Sequence, residues 1–259
     1  MLLDGEVVIV SGVGPALGKA IAQLVVREGG RVAAVARDGE RLRRGLPEIG
    51  VEGVQVVAVP ADIESEEECL RVADTVMETF GRIDGLVNNA VAYGDRGPIM
   101  GADIAGWAPV FALNVIGTMH MSRAVVRHML PAGTGSVVMV NSMVTRKFGH
   151  EAAGYAASKG ALATAASELA SEVGPSGIRV NSVVLGWMLG PRVEELFERQ
   201  ALERGVSAQD VMAEISSRSA LRKIPTLEEC SYPIVFLLSS KASGITGQAI
   251  NVSAGEVMS

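Results

Sequence analysis

Short apolar runs punctuate the chain: EVVIV (6–10), RVAAVA (31–36), VQVVAV (54–59), GLVNN (85–89), SVVMVN (136–141), IRVNSVV (178–184) and QAINV (248–252). Each is apolar through its middle instead of alternating with polar residues, the pattern of strands covered on both faces. Between them apolar positions recur at helical spacing over 17–28, 39–46, 65–80, 103–130, 151–173 and 227–239. Ser65 followed by Glu66, Glu67 and Glu68 reads as a capping box whose carboxylates also suit the positive end of a helix. Strand and helix therefore alternate. With right-handed crossovers this predicts an α/β fold, a doubly wound parallel sheet of about seven strands (a Rossmann fold) forming a single domain over 1–259.

Two stretches depart from the alternation. Pro233 falls inside the apolar pattern of 227–239, where it costs about 3 kcal/mol or forces a bend, and a bend is expected. Residues 187–225 read as helices with no strand, inserted beyond the carboxyl end of the sixth strand, which makes them a candidate substrate lid.

Composition narrows the function classes. At 48% hydrophobic and 20% charged, the chain has ample material for a core. A net charge of -6 argues against nucleic acid or an anionic membrane as partner. No uninterrupted apolar run reaches the roughly 18 residues of a bilayer span, and the first strand begins too early for a signal peptide, so a soluble, cytoplasmic protein is expected. Cys69 and Cys230 have no metal-ligand spacing and read as packing residues. His120, His128 and His150 form no ligand set, and no metal is implied.

The stretch SGVGPALG, Ser11 to Gly18, follows the first strand directly and precedes a helix. A glycine-rich turn between strand and helix lets the backbone approach a dinucleotide diphosphate, which meets unpaired N–H groups and the positive helix end. GxGxxG would place glycine at 17, where Leu17 stands; the pattern is instead Gly12-xxx-Ala16-x-Gly18. Further on, Tyr155 and Lys159 are four apart on an expected helix, so both side chains share one face. A neighbouring ammonium favours phenolate and lowers the ordinary phenol pKa of about 10, which would let Tyr155 exchange a proton with an alcohol or ketone oxygen. Ser142, just past the fifth strand, sits at the carboxyl edge where such sheets bind ligands.

On these residues the chain resembles the short-chain dehydrogenases/reductases, whose glycine motif is TGxxxGxG, with Ser11 and Ala16 as small replacements. VNNA (87–90) is similar to the family's NNAG, with Val91 for its glycine, and Asp62-Ile63 fall where the family contacts adenine. The resemblance covers nearly the whole chain. It implies a catalytic tetrad of Asn114, Ser142, Tyr155 and Lys159, with Asn114 holding a water that continues a proton relay from Lys159. Cofactor contacts are implied at Ser11, Gly12, Ala16, Leu17, Gly18, Arg37, Asp62, Ile63, Asn89, Ala90, Tyr155, Lys159, Gly186 and Met188. The Tyr–Lys spacing differs from that of the enoyl-reductase branch. Leu185-Gly186 replaces PG, Gly190 replaces a Thr that ligates the nicotinamide carboxamide, leaving backbone contacts near Met188, and SAG (253–255) replaces DGG.

At the end of the second strand Ala36 stands in the acidic place and Arg37 follows, which favours NADP over NAD. Tyr93, Met143, Val144, Phe148, Trp187, Met188, Leu196 and Phe197 are expected to line an apolar substrate pocket. The primary reading is an oxidoreductase moving hydride between NADP(H), or NAD(H), and a secondary alcohol or ketone on a hydrophobic body. A 3-oxoacyl thioester reductase, with Arg146-Lys147 as docking patch, and a dinucleotide-binding regulator without turnover stay open. By resemblance a homo-oligomer, tetramer or dimer, is expected, paired through the helices carrying Asn114 and Tyr155.

Overall fold

The computed structural model describes residues 1–95, 97–149 and 152–258. Seven strands form one sheet: β1 (Val7–Ser11), β2 (Arg31–Ala36), β3 (Val56–Pro60), β4 (Gly85–Asn88), β5 (Gly135–Ser142), β6 (Ile178–Leu185) and β7 (Ala249–Val252). Their order is β3-β2-β1-β4-β5-β6-β7 and every pairing is parallel, with Ile9 opposite both Ala33 and Leu86. The order reverses direction between β1 and β4, which opens a crevice beyond their carboxyl ends.

Helices cover both faces. α1 (Leu17–Arg27), α2 (Gly39–Gly45) and α9 (Leu227–Leu238) close one face with Ile21, Val25, Leu42, Ile234 and Leu237. α3 (Glu66–Phe80), α5 (Thr118–Ala132) and α6 (Ala153–Val173) close the other with Val72, Val76, Met121, Met129 and Leu162. Because β1 is buried along its whole length, its alternate residues feed opposite cores, Val7 and Ile9 one and Val8 and Val10 the other. The non-alternating apolar strands anticipated from sequence have this cause. Cys69 and Cys230 lie buried on opposite faces of the sheet, and burial pushes both thiols up to about 12.

The single helix expected over 103–130 is built in pieces: a 3-10 turn (Ile104–Trp107), α4 (Ala108–Phe111), a π-helical turn (Ala112–Gly117) and α5. The run Ile104–Ala132 is long and apolar enough to cross a membrane by length and composition, although Arg123 and Arg127 interrupt it. In this fold α5 packs on α3 and on the sheet, and the π turn packs on α6. α9 runs unbroken through Pro233. One missing backbone bond is outweighed by a capping box between Thr226 and Glu229 and by the buried Cys230, Ile234, Leu237 and Leu238.

Residues 187–225 carry α7 (Pro191–Arg204) and α8 (Ala208–Ser216) and no strand. Phe197, Ala201, Val211, Ile215 and Ile224 form a small core of their own there, and a bridge from Leu189 to Thr226 closes the segment at its base.

Candidate active site

One cavity of about 1200 Å³ runs along the carboxyl edge of the sheet, from the turn after β1 to α7. The turn is held from behind. Gly12 and Val13 donate their N–H groups to the Val35 carbonyl, and the Asn89 amide donates to the Gly12 carbonyl at 2.8 Å. Gly12 has φ +76, and a Cβ there would lie 2.5 Å from the Ala90 Cα; at Gly18 it would lie 2.3 Å from the Gly12 oxygen. These two glycines are therefore demanded by the protein's own packing. Gly14 differs: a Cβ would meet nothing within 4 Å, and the residue lines the cavity.

α1 opens at Ala16 with no side-chain cap, so its first N–H groups lack side-chain partners. Ala16, Leu17 and Gly18 face the cavity, as do Arg37, Asp62, Ile63, Asn89, Ala90, Gly186 and Met188. An uncapped helix end behind a glycine turn suits a diphosphate, and the depth of the cavity suits a dinucleotide. Ser11 does not face it. Fully buried, its hydroxyl accepts from the Asn89 N–H at 3.3 Å and so ties β1 to β4 instead of meeting a ligand. Asp38, adjacent to Arg37, caps α2 by accepting from the Arg41 N–H at 3.0 Å.

At the far end Ser142 terminates β5 and Tyr155 lies in the first turn of α6. Burial, with the neighbouring Tyr93, holds the Tyr155 pKa well above its ordinary value, against a smaller opposing influence of the Ser142 hydroxyl that favours ionisation. The expected lowering by Lys159 is absent. That ammonium is 5.9 Å from the Tyr155 ring centre and donates to the Val140 carbonyl at 2.7 Å, while burial pulls its own pKa down to about 8. The positive charge acting on Tyr155 belongs to Arg192.

Asn114 is brought close but not into the cavity. It is fully buried in the π turn; its amide donates to Ala92 O and Ser158 Oγ, and its oxygen accepts from the Ala92 N–H at 2.8 Å. Both amide hydrogens are used, so the side chain has none for a relay water. It pins the segment leading to Tyr93, whose ring packs 5.0 Å from that of Tyr155.

Of the expected substrate walls, Tyr93, Met143, Val144, Trp187, Met188 and Leu196 line the cavity. Phe148 does not: it is 82% exposed. Phe197 is turned into the core between α7 and α8, against Trp187. The lining is also less apolar than expected, because α7 adds Arg192, Glu195 and Arg199. The sequence held one signal for Arg192, a cation directly after Pro191 at a helix start, where the dipole disfavours it. Arg146 and Lys147 form no open patch, since Arg146 donates to Asn251 and Lys147 pairs with Glu256 at 2.7 Å. Among the histidines, His128 pairs with Asp74 at the surface and His120 Nδ1 is buried without a partner; His150 lies outside the described residues.

A family model described as Enoyl-(Acyl carrier protein) reductase matches residues 12–256. Among similar proteins is the short-chain reductase protein NovJ of Streptomyces niveus, 33% identical over 96% of this chain and 93% of its own length. NAD+-bound xylitol dehydrogenase has the same fold with a TM-score of 0.90 at 29% identity, covering 98% of this chain and 100% of that one. A variant of actinorhodin polyketide ketoreductase with NADPH has a TM-score of 0.88 at 30% identity, covering 97% of each chain. With matches spanning almost its full length, and a glycine turn, Ser142 and a Tyr-xxx-Lys pair along one cavity, the chain belongs to the short-chain dehydrogenase/reductase family of NAD(P)-dependent oxidoreductases.

Proposed function

We propose that the protein is an NADP(H)-dependent reductase of ketones carried on a largely hydrophobic small molecule, able to run in reverse on the secondary alcohol. The observation that carries this is that Ser142 and Tyr155 line the same cavity whose other end is the glycine turn. The dinucleotide, when bound, supplies the hydride. Its diphosphate end would be held by the turn through Gly18, its adenosine end by Asp62 and Ile63, and its nicotinamide end by Asn89, Ala90, Gly186, Met188 and Lys159.

Tyr155 is the proton donor in this reading. A buried phenol held above its ordinary pKa is protonated at neutral pH, which suits delivery of a proton to a carbonyl oxygen as the carbon gains hydride. Ser142 orients that oxygen, and Asn114 acts by holding Ala92 and Tyr93 in place. Arg37 and Arg41 line the cavity beside Ala36, which stands where an acid would meet a ribose hydroxyl, while the nearby Asp38 is engaged as the cap of α2, and this favours the 2′-phosphate of NADP. The helical segment 187–225 serves as the substrate lid. The reading includes work in the cytoplasm as a homo-oligomer, dimer or tetramer, paired through α5 and α6.

NADPH and NADH oxidation with a panel of hydrophobic ketones, for the wild type, Tyr155→Phe and Arg37→Ala, tests the reading. Equal rates in the wild type and Tyr155→Phe defeat the reading, and no turnover of any ketone by the wild type leaves a binding protein. A preference for NADH untouched by Arg37→Ala removes the NADP assignment alone.

A further inference from the structure

Arg192 occupies a place that helix energetics disfavours. It is the second residue of α7, at the positive end of the dipole, where a cation is disfavoured. Some surface arginines have carboxylate partners, as in Arg27–Glu228, Arg82–Asp84 and Arg204–Glu214, whereas Arg37, Arg41, Arg43, Arg44 and Arg222 have none among the described residues. Arg192 and Arg199 make no ion pair among the described residues, although the chain carries a net charge of -6. Both line the cavity two helical turns apart, and Glu195 is the one α7 carboxylate beside them there among the described residues.

Geometry fixes which end of the cavity this charge serves. The guanidinium lies 3.9 Å over the Tyr93 ring, and that ring packs 5.0 Å from Tyr155, so the cation stands at the phenol end, away from the glycine turn. A guanidinium stacked on a ring by its face keeps its N–H donors at the edge available, a fork that matches a carboxylate. Beside it Trp187, Leu196, Met143 and Val144 offer apolar surface.

We propose that Arg192 is a specificity-determining residue that receives an anionic group, a carboxylate, borne by the substrate whose carbonyl is reduced at Tyr155. The substrate class is then an apolar keto acid and its product the hydroxy acid. This rests on the reductase reading above. A dinucleotide diphosphate would satisfy the same cation, and the cofactor KM distinguishes that source.

The test compares 3-acetylbenzoate and 4-acetylbenzoate with their methyl esters under saturating NADPH, in the wild type, Arg192→Met and Arg192→Lys. Any influence of Arg192 on Tyr155 acts on acid and ester alike, so the acid-to-ester ratio of kcat/KM isolates recognition. The wild type is expected to favour an acid, Arg192→Met to lower that ratio at least tenfold through KM, and Arg192→Lys to retain part of it. Calorimetric binding of the same acids with NADP+ present is expected to weaken in parallel. A wild type that reduces only the esters, a ratio unmoved by Arg192→Met, or a variant defect confined to the NADPH KM overturns the carboxylate site while the reductase reading stands. Acid binding that depends on Arg192 without turnover of any compound has the opposite meaning: the site stands and the reductase reading falls. Absence of both binding and turnover overturns the site.

Discussion

The ammonium of Lys159, expected to activate the Tyr155 phenol, donates to the Val140 carbonyl at 2.7 Å and stands 5.9 Å from the centre of the Tyr155 ring. Four-residue spacing places two side chains on one face of a helix, but it does not choose which neighbour a long, flexible lysine meets. Here the end of β5 supplies the partner, and Lys159 is 3% exposed.

Burial of that charge has a measurable cost. The folded pKa, about 8, lies below the ordinary 10.5, so between those values the unfolded chain binds a proton that the native protein has lost, and stability from this group rises with pH. Below pH 8 the penalty is fully present. Lys159→Met is expected to stabilise the protein at pH 7 by up to about 3 kcal/mol, reduced by the hydrogen bond lost at Val140. The gain should shrink as pH climbs toward 10.5. Denaturant midpoints at pH 7 and pH 10 check this, and a pH-independent difference contradicts it.

Tyr155→Phe keeps the ring against Tyr93 and removes only the hydroxyl. A lost general acid is expected to lower kcat by roughly 10²–10⁴-fold with the KM for NADPH little changed. Because the phenol is held above its ordinary pKa, ketone reduction by the wild type should show no loss of rate from Tyr155 ionisation between pH 6 and about pH 9. Steady-state rates across that range decide the matter.

The glycine turn divides into two kinds of position. Gly12→Ala forces a methyl to 2.5 Å from the Ala90 backbone at φ +76, and a loss of several kcal/mol of stability is expected. Gly14→Ala meets no protein atom and should leave the melting temperature within about 1–2 °C. Its methyl would stand on the cavity wall, so the KM for NADPH is expected to rise at least tenfold. Thermal melts and cofactor kinetics on both variants separate packing from ligand approach.

Ala254, in the segment where SAG replaces DGG, adopts a left-handed φ of 53. An L-residue there costs roughly 1–2 kcal/mol, against which glycine gives back roughly 0.5–1 in lost backbone entropy. Ala254→Gly is therefore expected to stabilise by about 0.5–1 kcal/mol, and a lowered denaturant midpoint would refute that account.

Much of the architecture was legible along the chain because strands and helices are defined by local periods. The seven strands and the strandless insertion follow from those periods, and the parallel, doubly wound sheet they imply places the glycine turn and Ser142 at its carboxyl edge. Contacts between residues far apart in sequence were not legible. Tertiary packing decided that Gly12 and Gly18 answer to Ala90 and to each other, that Ser11 and Asn114 brace the site from behind, and that Phe197 turns inward while Phe148 stays in solvent. It also set Arg192 over Tyr93. Periodicity records only which face of an element is apolar; which partner that face meets depends on how distant elements approach, and the substrate end of this cavity is built from several such elements.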